Sequence, residues 1–141
     1  MKKVLTMLFA VGALSLSACQ MDMHSADKTG AKMKEKGYDT QIYTYEEAKV
    51  AIQGLNYDAG KFNGAISSYK GSGDDKDILI AFFFDSADAA EKFMSYNENE
   101  NLAISNRYIA ANLGENLTAK IGIHNNVAYA GSETSFTVAF E

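Results

Sequence analysis

Cysteine is almost missing from this sequence: Cys19 is the only one in 141 residues. No disulfide can staple the fold, so stability must come from a hydrophobic core, for which the apolar content is ordinary. Histidine is nearly as scarce, with only His24 and His124. A Ser-His-Asp or Cys-His arrangement needs a nucleophile held against an oriented base, and two such scattered histidines leave little to build one with. Tryptophan is absent, which weakens any sugar-stacking surface. The longest apolar run, Val4 to Leu16, falls short of the roughly 20 residues that a permanent transmembrane helix needs. Basic residues are outnumbered 13 to 18, for a net charge of −5. An acidic chain is a poor partner for nucleic acid and for anionic lipid headgroups.

What is present begins at the N-terminus. Lys2 and Lys3 lead into the apolar run, small residues follow, and the run ends in Leu16-Ser17-Ala18-Cys19. Charged end, apolar middle and small-residue cleavage site are the order of a secretory signal. The last four residues resemble the lipobox of bacterial lipoproteins. That resemblance implies diacylglycerol on the Cys19 thiol, cleavage before it, and a mature chain of residues 19–141. Lipidation would consume the one thiol, whose isolation is otherwise unexpected in an exported protein. Removing residues 1–18 leaves 123 residues, enough for one domain, with 11 basic against 18 acidic side chains and a net charge of −7. Membrane attachment is then expected from acyl chains on Cys19 rather than from charge. Gln20 stands where an Asp would retain a lipoprotein in the inner membrane. The resemblance therefore implies the outer membrane in a two-membrane envelope, or the outer face of the plasma membrane where there is only one.

Residues 19–30 read as a flexible tether, and 31–141 as a single domain. Within that domain, Ala31–Lys36 suits a short helix stopped by Gly37, and Tyr38–Tyr43 a strand with Tyr38, Thr40 and Ile42 on one face. Thr44 and Glu47 form a capping box for a helix whose stripe is Ala48, Ala51, Ile52 and Leu55. Phe62–Lys70 suits a strand. The uniformly apolar Ile78–Phe84 suits a central strand covered on both faces. Asp85 or Ser86 caps a helix burying Ala90, Phe93 and Met94, and the polar run 97–101 reads as a loop. The stretch 102–113 fits a helix moderately well. Thr118–Ile123 and Val127–Ala130 suit a hairpin turning at Asn125-Asn126, before a helix capped by Ser132 with Phe136, Ala139 and Phe140. The expected fold is α+β: a small antiparallel-rich sheet of about five strands with helices packed on it, two-layered and ferredoxin-like in outline.

Candidate chemistry is sparse. Met21-Asp22-Met23-His24 is the one soft-ligand cluster that could hold Cu(I), set against its reading as plain linker. Asp74, Asp75 and Asp77 fail the EF-hand pattern, since Leu79 stands where a ligand belongs, and suit a solvated turn. Gly71-Ser72-Gly73 lacks the Lys-Ser/Thr of a phosphate-cradling loop, and His124 reads as a turn residue. Asn116-Leu117-Thr118 matches a glycosylation acceptor of a route that this signal does not indicate. Tyr38, Tyr43, Tyr45, Tyr57 and Tyr69 either line the rim of the sheet or offer a face to a glycan or protein. The expectation is a binding or interaction module of the cell envelope, with no catalytic, cofactor-binding or metal residues, and with an envelope protein or glycan as partner. A small-ligand or metal carrier is the alternative, and an envelope hydrolase a more distant one.

Overall fold

A computed structural model describes residues 22–51, 61–72, 76–98 and 120–141. Helix α1 (Ala26–Glu35) opens at Ser25, whose hydroxyl accepts the Lys28 N–H. Asp27 in its first turn and Lys32 and Lys34 in its last both suit the helix dipole. Gly37 ends it at a φ of 86°, where a side chain would be strained. Strand β1 (Asp39–Tyr43) leads into α2 (Tyr45–Ala51). The Thr44 hydroxyl accepts the Glu47 N–H at 3.3 Å while Glu47 accepts the Thr44 N–H at 2.8 Å, so the capping box forms. Then come β2 (Gly64–Lys70), β3 (Asp77–Phe83) and α3 (Ala87–Glu98), followed by β4 (Lys120–His124), β5 (Val127–Gly131) and α4 (Glu133–Phe140). The Ser86 and Ser132 hydroxyls cap α3 and α4 by accepting the N–H groups of Ala89 and Ser135. Asn125, at φ 51°, turns the β4–β5 hairpin.

The strands pair antiparallel throughout, in the order β1-β2-β3-β5-β4. Strand β3 is central, and its side chains alternate between two cores. Ile78, Ile80 and Phe82 face α2 and α3, while Leu79, Ala81 and Phe83 face α1 and α4. The expected α+β sheet of five strands with helices packed on it is therefore observed. The four helices among the described residues divide between the two faces, giving three layers where the ferredoxin-like outline has two. The doubly apolar β3 explains this, since each of its faces has to be covered. No helix among the described residues is long and apolar enough to cross a membrane.

The N-terminal segment departs from expectation. Residues 22–30 were expected within the flexible tether 19–30, yet α1 begins at Ala26, and Ala26, Thr29 and Gly30 are buried against the sheet. With Met33 they recur at i, i+3, i+4 and i+7, a helical stripe built from small side chains. A Cβ on Gly30 would stand 2.7 Å from the Ile42 side chain, so glycine is what lets the helix backbone close on the sheet. Smaller differences follow. Ala51 is exposed rather than part of a buried stripe with Ala48, and Asn97 and Glu98 continue α3. Ile52, Leu55, Tyr57 and the stretch 102–113 lie outside the described residues.

Candidate cleft at the hairpin end of the sheet

One end of the sheet gathers the C-terminal ends of β1 and β3, the start of β2 and the β4–β5 turn. Here the chain before α1 is tied down. Asn126, 1% exposed, accepts the His24 N–H through Oδ1 at 2.8 Å. Its Nδ2 donates to the carbonyls of His24 and Phe84, each at 2.8 Å. Asn125 Nδ2 donates to the Asp22 carbonyl at 3.1 Å. One buried amide thus satisfies backbone groups from two segments far apart in sequence, which is why an Asn occupies that place.

The two histidines, a hundred residues apart, meet at this latch. Their ring centroids lie 5.2 Å apart, and Phe140 packs on both at 5.1 and 5.2 Å. His24 Nε2 is buried and has no hydrogen-bond partner among the described residues. Burial first, and the neighbouring His124 second, hold the His24 pKa below its ordinary value. Asp22 opposes that shift and Lys32 adds to it.

Beside the latch lies a cleft of about 530 Å³. The head of α1 contributes His24, Ser25, Ala26 and Asp27, the β1–α2 junction contributes Ile42, Tyr43, Thr44 and Glu47, and Asn63, Gly64 and Phe83 complete it. A more open depression of about 580 Å³ shares Ile42, Tyr43 and Glu47 and continues along α2 to Val50. Several of its polar groups are already committed to the fold. Asn63 donates to Asp85 at 2.6 Å. Glu47 caps α2, and the Thr44 N–H followed by the Thr44 hydroxyl hold its pKa below the usual carboxylate range. A general acid needs the opposite shift. The cleft therefore offers an apolar floor and an acidic rim, with Glu47 held as a carboxylate acceptor.

The residues singled out in the sequence do not converge here. Cys19, Met21, Asp74, Asp75, Gly73 and residues 116–118 lie outside the described residues. Met23 is 52% exposed, and of the described residues of the soft-ligand cluster Asp22 and His24 are docked, both through backbone groups. Among the described residues, no group of three or more His, Cys, Asp or Glu side chains comes together to hold a metal ion. Asp77 belongs to the fold: the Ser132 hydroxyl donates to it at 3.0 Å, while Ser135 donates to the Ile78 carbonyl. The tyrosines are spread over both faces. Tyr38 is buried on the α1 side, Tyr43 and Tyr45 are half-buried on the other, and among the described tyrosines Tyr69 alone is exposed, its hydroxyl donating to Asp39. Sequence reasoning placed Asn126 in a turn but missed its three bonds, since nothing in a turn asparagine announces a distant partner. No protein-family model, curated protein or solved structure matches this chain.

Proposed function

We propose that the chain is a lipid-anchored extracytoplasmic lipoprotein, acylated on Cys19, whose single domain is a binding or interaction module of the cell envelope and not an enzyme. The observation that carries this reading is the order Lys2-Lys3, apolar run, Leu16-Ser17-Ala18-Cys19. It sits in the outer membrane where the envelope has two membranes, and on the outer face of the plasma membrane where it has one. The partner is an envelope protein or glycan, not nucleic acid, in keeping with the acidic body. The test is crosslinking of the native protein in intact cells, with Cys19→Ala as control. A specific envelope component captured by the native protein and lost in the control is the expected result. An unacylated native protein, by intact mass, overturns the anchor.

A second reading, a small-ligand carrier, has one observation in its favour: a cleft of about 530 Å³ that combines apolar Ile42 and Phe83 with polar Asp27, Glu47 and Asn63. Failure to capture any macromolecule, together with a ligand-induced rise in melting temperature, selects it. Its acidic rim predicts a cationic or hydroxyl-rich ligand.

A further inference from the structure

We infer that the hairpin end of the sheet, with its cleft, faces the lipid bilayer that holds the acyl chains, and that Met23 and Ile123 lie at the boundary between lipid headgroups and water. This rests on acylation of Cys19.

Chain length carries the inference. A twelve-residue tether over 19–30 would let the body roam roughly 40 Å from its anchor. The latch shortens that reach. The chain is held at the Asp22 carbonyl by Asn125 and at both backbone polar groups of His24 by Asn126. Only three residue steps separate Cys19 from Asp22, at most about 11 Å of extended chain. The headgroup layer itself is roughly 5–7 Å deep on each side of the bilayer. Asp22 and the turn that holds it therefore lie within or just above that layer, and the body cannot turn its far end to the membrane. That far end, marked by Tyr69 and Lys70 on the seven-residue β2, is about 20 Å away.

The distribution of exposed apolar side chains agrees. Four large ones are exposed among the described residues: Met23, Val50, Tyr69 and Ile123. Met23 lies between the two latched residues, and Ile123 lies two residues before the turn that latches them. Asp22 and Asp27 stand at the same end, so contact with the bilayer comes from the anchor and these apolar contacts rather than from attraction to anionic lipid. A ligand entering the cleft would then approach along the membrane surface.

The experiment uses the acylated full chain in phosphatidylcholine vesicles carrying a headgroup-attached quencher. Environment-sensitive fluorophores are placed on Ile123→Cys, on Met23→Cys and, as the far-end control, on Tyr69→Cys. Acylation of Cys19 keeps the native thiol unlabelled, and thermal melts confirm that each variant folds. The expected result is at least a several-fold greater quenching at positions 23 and 123 than at 69. It should fall towards the control value when ten Gly/Ser residues are inserted after Gln20. Equal quenching at all three positions, or greater quenching at 69, overturns the orientation. So does protection of position 123 in detergent micelles that rises with protein concentration, since a second copy would then cover this end. Intact mass separates the two claims: an unacylated chain removes the anchor as well, whereas an acylated chain with uniform quenching removes the orientation alone.

Discussion

On the α2/α3 side of the sheet, Phe62 meets Tyr45, Phe82, Phe84 and Phe93 edge-on at centroid distances from 4.9 to 6.1 Å. On the α1/α4 side, Thr29, Thr40, Ser68 and Ser135 are buried among Met33, Ile66, Leu79 and Phe83. The first side gains its stability from ring area and from aromatic pairs worth about 0.5–1.5 kcal/mol each beyond that area. The second brings helix backbone onto the sheet through Gly30 and Ala26, and holds the Thr40, Ser68 and Ser135 hydroxyls in hydrogen bonds. Large rings can slide and repack. A glycine contact and a buried hydrogen bond accept one geometry only, so this side fixes where the N-terminal helix sits.

The largest effect should come where both sides share a strand. Phe83, 1% exposed on β3, becomes a buried unpaired charge in Phe83→Asp. That cost is of the same order as the whole stability of a small domain. The variant should show no cooperative thermal transition, and a native-like melt would show that β3 is not the centre of the sheet. Next come substitutions confined to one side. Phe93→Ala, in the ring cluster, should cost about 3–5 kcal/mol in urea titrations. Gly30→Leu forces a side chain against Ile42 and should cost about 1–3 kcal/mol. Hydrogen exchange sharpens the comparison. Gly30→Leu should strip protection from α1 while sparing α3, and uniform loss would mean that the two sides unfold as one.

Acid should test the latch. His24 has its pKa lowered in the folded state, so the unfolded chain binds the extra proton more readily. Its stabilising contribution is complete above the unfolded value of about 6.5 and is lost as pH falls through the lower folded value. His124 and Lys32 deepen the effect, and Asp22 reduces it. Melts at pH 7.5 and pH 5 should therefore show a stability drop that is smaller in His24→Gln. Equal drops in both proteins would place the acid sensitivity elsewhere.

These contrasts also explain what could be read from the residues. The central strand, the Thr44–Glu47 box, the Ser86 and Ser132 caps and the Asn125 turn rest on local chemistry and large apolar side chains, and each appears where expected. The head of α1 was illegible for a physical reason. Ala26, Thr29 and Gly30 bury little area, so a scale that scores apolar surface reads a close-packed stripe as linker. The candidate cleft was equally hidden, because His24, Glu47, Asn63 and Phe83 reach it from separate segments. Only the closure of the sheet sets their spacing.

The smallest effect probes whether the α1 side is held by its polar pairs or merely tolerates them. Thr40 and Ser68 face each other across β1 and β2, 3% and 0% exposed, with their hydroxyl oxygens 2.8 Å apart. Ser68→Ala deprives Thr40 of this partner, leaving it the longer bond to the Tyr38 carbonyl at 3.5 Å, and should cost about 1 kcal/mol. Thr40→Val strands the Ser68 hydroxyl in the same way and should cost a similar amount. The double substitution removes both polar groups at nearly constant shape, so it should cost less than the two single changes added together. The coupling from the resulting cycle should be about 0.5–1.5 kcal/mol. A coupling of zero would mean that each hydroxyl is served by its own strand, and that small size alone earns these residues their place under α1.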